Sequence, residues 1–255
     1  MLIDSHCHLD RIDLEAFGGE LDRLIATAGE QGVGHMLCVC IDLEHFGDVA
    51  AIAERYPHVT CSVGVHPDAT DVREPGVEDL VELARHPKVV AIGETGLDYF
   101  RLQGDLEWQR DRFRTHIRAA REAGKPLIIH TRAAREDTVR VLREEGAEAV
   151  GGVMHCFAED WATAQAAMEL NFLISFSGIV TFKSAEALRE VAARVPDSHL
   201  LIETDSPYLA PVPHRGKENH PAWVRHVAEK LAEVRGVTVE HIKAVTTANY
   251  RRVFG

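Results

Sequence analysis

Two histidines separated by one residue, His6-Cys7-His8, close the first apolar run of the chain. Side chains two apart on an extended strand project to one side, so such a pair can share a cation. Imidazole is also an ordinary hydrogen-bonding residue at a strand end, and the pair alone does not establish a metal. The placement recurs, however. His66 in Gly64-Val65-His66-Pro67, His130 in Leu127-Ile128-Ile129-His130-Thr131 and His155 in Gly152-Val153-Met154-His155-Cys156 each end an apolar stretch, as do Glu94 in Ile92-Gly93-Glu94-Thr95-Gly96 and Asp205 in Ile202-Glu203-Thr204-Asp205. A carboxylate after such a run does not read as a solvated surface charge. Glycines flanking Glu94 permit close backbone approach, and its two oxygens can bridge two cations. Glu203 and Asp205 are expected on one side of the last strand, with Asp205, nearer the rim, the better ligand. Four histidines (His6, His8, His130, His155) and two carboxylates (Glu94, Asp205) exceed the needs of one tetrahedral ion and predict two divalent ions roughly 3.5 to 4 Å apart. Nitrogen and oxygen donors without thiolate suit Zn, Mn, Co, Ni or Mg, and ligand type does not choose among Mg, Mn and Zn.

These residues need a scaffold that delivers the ends of different strands to one rim. Apolar runs occur at approximately Leu2 to His8, His35 to Cys40, Thr60 to His66, Val89 to Gly96, Pro126 to Thr131, Gly151 to Phe157, Phe172 to Gly178 and His199 to Asp205. Nearly continuous Val, Ile, Leu and Cys marks strands covered on both faces. Between them lie sets spaced i, i+3, i+4, i+7, such as Leu21, Leu24, Ile25, Ala28 and Phe46, Val49, Ala50, Ala53, while Leu106 to Ala123 forms a longer helix stopped at Gly124. Eight strand–helix units predict a TIM-type (β/α)8 barrel, a single domain over residues 1–255, with its site at the C-terminal face. An open doubly wound sheet would carry a glycine-rich phosphate turn after the first strand, where this chain has Ser5-His6-Cys7-His8.

Composition narrows the setting. No basic segment precedes an apolar stretch at the N-terminus and no apolar run approaches membrane-spanning length, so a soluble, cytoplasmic protein is expected, with no obligate protein partner. The five cysteines form no C-x-x-C pair and are expected as reduced core thiols. A net charge of -12 argues against a broad duplex-binding surface, yet bound cations can reverse the sign inside a pocket.

With these residues placed, the sequence resembles the TatD family of metal-dependent deoxyribonucleases, a branch of the amidohydrolase-like barrels, from the first strand to the last helix. The matching stretches are Ile3-Asp4-Ser5-His6-Cys7-His8-Leu9-Asp10, Gly64 to Pro67, Ile92 to Tyr99, Leu127 to Arg132, Gly152 to Phe157 and Glu203-Thr204-Asp205-Ser206-Pro207-Tyr208-Leu209. The resemblance implies that His6, His8, Glu94 and Asp205 serve one ion and Glu94, His130 and His155 the other. It implies substrate contacts from His66, Arg132, Arg215 and Lys217, the last two in an Arg-Gly-Lys loop able to meet a phosphodiester. Where the family more often has Glu before a proline, this chain has His220, whose role the resemblance leaves open.

The implied reaction is hydrolysis of DNA phosphodiesters by 3′–5′ exonuclease action on single strands or by abasic-site cleavage in repair. Two ions activate a water, Asp205 orients or deprotonates it, and Glu94 bridges. An amide or lactone hydrolase on the same barrel is the first alternative. Such relatives often bridge their metals with a carboxylated lysine, and Lys88 lies at the wrong end of the fourth strand for that. A non-catalytic scaffold barrel is the second, although all six ligands are present.

Overall fold

The computed structural model describes residues 1–255. The strands are β1 (Leu2–Cys7), β2 (Val33–Cys38), β3 (Val59–Val63), β4 (Val89–Asp98), β5 (Leu127–Arg132), β6 (Gly152–Met154), β7 (Phe172–Phe176) and β8 (Leu200–Ile202). They pair in parallel in chain order. The segment after β8 completes the ring against β1, with Asp205 N donating to His6 O at 2.9 Å and His8 N to Ser206 O at 2.8 Å. Around this barrel run α1 (Leu21–Glu30), α2 (Phe46–Arg55), α3 (Val77–Ala84), α4 (Glu107–Ala123), α5 (Arg135–Glu144), α6 (Trp161–Glu169), α7 (Glu186–Arg194), α8 (Val224–Arg235) and α9 (Val239–Phe254). No helix is long and apolar enough to cross a membrane, and all five cysteines are free.

Alternation along each strand divides the apolar side chains between two compartments. On β5, Leu127 and Ile129 face the helical layer, whereas Ile128 joins Ile3, Leu37, Val39, Ala91, Val153, Leu173 and Leu201 inside the barrel. Tyr250 and Phe254 of α9 belong to the same interior cluster, so the last helix plugs the N-terminal mouth. Burying each such ring stabilises the fold by roughly 1.5–3 kcal/mol.

The strands are shorter at their C-terminal ends than the apolar runs suggest. β3, β6 and β8 stop at Val63, Met154 and Ile202, which leaves His66, His155 and Asp205 just beyond the ladder, on the loops of that face. β4 instead runs on through Glu94 to Asp98. Its register against β5 slips between Ile92 and Thr95, a stretch that contains Gly93 and is followed by Gly96, with φ of 143° and 135°. A Cβ at Gly96 would lie 2.0 Å from His130 O, and one at Gly93 would lie 2.6 Å from Ile128 O. Only glycine fits both demands, and the irregularity they allow seats the carboxylate of Glu94 between them.

Candidate metal centre

Seven of the expected side chains converge above the barrel interior. Around Glu94 the two carboxylate oxygens face different histidines. Oε2 lies 3.3 Å from His6 Nε2 and 3.8 Å from His8 Nε2, whereas Oε1 lies 3.3 Å from His66 Nε2, 3.2 Å from His130 Nδ1 and 2.8 Å from His155 Nε2. Asp205 Oδ1 stands 3.7 Å and 3.6 Å from the Nε2 atoms of His6 and His8, closing the first group. His6 and His8 do project to one side, their Nε2 atoms 3.3 Å apart. The alternation expected for Glu203 and Asp205 does not apply, because β8 has ended and Asp205 adopts a left-handed φ of 55°.

Four of the five imidazoles are held from behind. His8 Nδ1 donates to Val39 O at 3.0 Å, His130 Nε2 to Asp98 Oδ2 at 3.2 Å, His155 Nδ1 to Glu203 Oε1 at 3.2 Å, and His66 Nδ1 to Asp68. Such outer partners fix which nitrogen points inward and raise its basicity toward a metal. Asp68, Asp98 and Glu203 are therefore part of the site, although spacing marks only Glu203 among them, and that as a lesser ligand than Asp205. Glu203 also accepts from Cys156 N at 2.7 Å, and Arg101 braces Asp68 at 2.5 Å.

The residues present fit a cation. Imidazole nitrogens and carboxylate oxygens meet with few protons to share between them, and His155 Nε2, His6 Nδ1 and Glu203 Oε2 are buried without a hydrogen-bond partner. Three triads, His6/His8/Asp205, His66/Glu94/His130 and His6/His155/Glu203, have donor atoms close enough to share an ion. Burial by itself would raise the Glu94 carboxyl, but the rings of His155, His66 and His6 around it hold it well below the usual carboxylate range. Burial likewise opposes charge on His155, yet Glu94 and Glu203 drive it well above the ordinary imidazole value.

Arg132, the last residue of β5, and Arg215 and Lys217, on the loop after β8, stand outside this cluster and are exposed. The Arg132 guanidinium lies 4.0 Å from the Phe100 ring centre and that of Arg215 lies 3.6 Å from Phe182. The His220 ring packs with its centre 4.1 Å from that of Trp223 and 5.3 Å from that of Phe17, and burial lowers its imidazole to about 4. Its neighbour Asn219 pins the loop by donating to Thr204 O at 2.9 Å and Tyr208 O at 2.6 Å.

The loop carrying His66 is clamped by α4. Gln109 Nε2 donates to Pro67 O at 3.0 Å, Arg112 Nη1 to His66 O at 2.8 Å, and His116 Nε2 accepts from Val65 N at 2.9 Å while its Nδ1 donates to Arg112 O at 2.8 Å. Accepting at one nitrogen and donating at the other requires a neutral ring, and burial lowers His116 to about 4. The unfolded ring takes up a proton below its ordinary value near 6.5, whereas the folded one resists until about 4. Stability from His116 is thus intact above pH 6.5 and is lost as pH falls toward 4, by on the order of 3 kcal/mol. Urea unfolding of His116→Gln, which keeps an acceptor for Val65 N without titrating, should show a correspondingly flatter decline between pH 7 and pH 4. A slope equal to that of the unsubstituted protein would remove His116 from the explanation.

The family model described as TatD related DNase matches residues 3–255. The chain is 49% identical over 254 residues to the uncharacterized metal-dependent hydrolase YcfH of Escherichia coli K12, covering 99% of this chain and 95% of that protein. It is 32% identical over 245 residues, 94% of each chain, to the 3′-5′ ssDNA/RNA exonuclease TatD of Escherichia fergusonii. The crystal structure of YJJV, a TatD homolog from Escherichia coli K12, superposes with a TM-score of 0.89 at 27% identity, over 99% of this chain and 97% of that one.

Proposed function

Since the chain belongs to the TatD-related DNase family of metal-dependent hydrolases, we propose that it hydrolyses DNA phosphodiester bonds, trimming single strands or strand ends in the 3′ to 5′ direction. The observation that carries this reading is the division of imidazoles by Glu94, with His6 and His8 on one oxygen and His66, His130 and His155 on the other. That layout supports one cation held by His6, His8, Glu94 and Asp205 and a second held by Glu94, His130 and His155. When bound, the pair supplies an activated water and charge neutralisation at the phosphoryl oxygens. The chain's own part is positional. Asp205 orients the attacking water and accepts its proton, and His66, braced by Asp68, binds a phosphate oxygen. Arg132, Arg215 and Lys217 attract the strand at the rim. The exonuclease named among the relatives supports a single-stranded substrate, and so does the net charge of -12, which leaves few cations for long duplex tracts.

Metal-stripped protein titrated with Mg²⁺, Mn²⁺ and Zn²⁺ against 5′-labelled single-stranded DNA should yield a descending ladder of products, dependent on the added ion. Absence of cleavage with every ion, despite binding of the ions, would transfer the reading to an amide or lactone hydrolase.

A further inference from the structure

The exposed large apolar side chains include two aromatic residues, Phe100 at 63% and Tyr208 at 51% exposure, and both flank the metal residues. Phe100 follows the end of β4. Its N–H donates to Asp98 Oδ1 at 2.9 Å, and the other oxygen of Asp98 holds His130. Tyr208 follows Asp205 beyond β8, with its ring centre 6.2 Å from that of His8. In an eight-stranded ring ordered β1 to β8, the ends of β4 and β8 are diametrically opposed, so the two rings stand on opposite sides of one opening. Arg101, the residue after Phe100, is anchored on Asp68. Neither ring closes a hydrophobic core, and leaving both in water has no benefit to folding.

We propose that Phe100 and Tyr208 are stacking platforms for the unpaired bases on either side of the phosphodiester being cut. Arg132 already covers one face of Phe100 at 4.0 Å from its centre, and the ring remains 63% exposed, so the opposite face is free for a base. A ring sandwiched between a guanidinium and a base is a sequence-tolerant arrangement, because every base presents a π-face. Arg101 and Arg132 bring cations to the same side, where the backbone of the strand must run. A base within a duplex is covered on both faces by its neighbours and cannot occupy either platform without unstacking, so the arrangement selects single-stranded nucleic acid. This inference rests on the nucleic-acid reading of the metal centre.

The test is an oligonucleotide carrying 2-aminopurine, whose fluorescence reports stacking, titrated in Ca²⁺ with the unsubstituted protein and with Phe100→Ala, Phe100→Leu, Phe100→Trp and Tyr208→Ala, alongside cleavage of the same strand in Mn²⁺. We expect quenching on binding, a rise in Kd of about tenfold for Phe100→Ala, Phe100→Leu and Tyr208→Ala, and recovery with Phe100→Trp, while thermal stabilisation by Mn²⁺ is retained in all four. Leucine tests whether a merely apolar side chain suffices. Cleavage by the unsubstituted protein that Phe100→Leu and Tyr208→Ala match in Kd and KM would overturn the platforms and leave the nuclease standing. A protein that quenches 2-aminopurine through Phe100 yet cleaves no strand would retain the platforms and overturn the nuclease. Absence of both quenching and cleavage would overturn both.

Discussion

Glu94→Ala is expected to abolish stabilising binding of divalent cations and to lower hydrolysis of single-stranded DNA by on the order of 10³-fold or more. Its two oxygens face both groups of imidazoles, whereas Asp205 faces only His6 and His8, and Asp98 and Glu203 each hold the outer nitrogen of a single histidine, His130 and His155. Glu94 is 2% exposed, so the loss is also felt without metal. Removing one member of a buried, charge-paired group costs roughly 3–5 kcal/mol, because the partners stay buried without compensation. The metal-free variant should therefore melt below the unsubstituted protein. Added Mn²⁺ should raise the Tm of the unsubstituted chain in proportion to RT ln(1+[L]/Kd) and leave that of the variant unmoved. Thermal melts across a Mn²⁺ series make the comparison directly. A variant that Mn²⁺ stabilises as well as it does the unsubstituted protein, and that still cleaves DNA, would place the cations elsewhere.

The sequence exposed this site because the barrel delivers strand ends to one face, and an apolar run ending in His or Glu is visible without coordinates. His8, Glu94, His130 and His155 were legible for that reason. Strand lengths were less so. Hydrophobicity continues through Val65 and Phe157, which are buried beyond the last residues of β3 and β6, so runs in the sequence overreach those strands. The braces were harder still. Glu203 meets His155 across 48 positions and Asp98 meets His130 across 32, and no local pattern distinguishes a carboxylate that holds a histidine from one that holds a metal. Glu203 does both at once, holding His155 Nδ1 with one oxygen while its donor set with His6 and His155 is close enough to share an ion. Nor does any spacing rule place Tyr250 and Phe254 in the barrel's lower mouth, since an amphipathic last helix could equally lie outside. Arg132 and Arg215 stand out by their neighbours in the motifs, whereas the rings their guanidinium groups lie over, Phe100 and Phe182, are distant or unremarkable in sequence and meet them only in the fold.

Asp205→Asn separates holding the cations from handling the proton, and it is expected to reduce turnover by about 10²- to 10⁴-fold, the range for losing a positioned acid–base group. The substitution keeps an oxygen where Oδ1 now stands, 3.7 Å and 3.6 Å from His6 and His8 Nε2, and it preserves the shape of the turn. Asparagine is tolerated at left-handed φ, so the 55° at this position need not relax. What disappears is the negative charge and the ability to accept a proton. Burial alone would raise the Asp205 carboxyl, but the rings of His8, His155 and His6 beside it hold it below the usual value, so the group is an anion at neutral pH. The remaining ligands of both groups, Glu94 included, are untouched, and Mn²⁺ should still raise the Tm of the variant. Kinetics at saturating Mn²⁺ should then show a fall in kcat with KM for the oligonucleotide little changed, because the strand is held by groups this change does not reach. A fall in metal-induced stabilisation matching the fall in kcat would make Asp205 a ligand and nothing more, and an Asp205→Asn protein that is both metal-loaded and fully active would assign the proton to another acceptor.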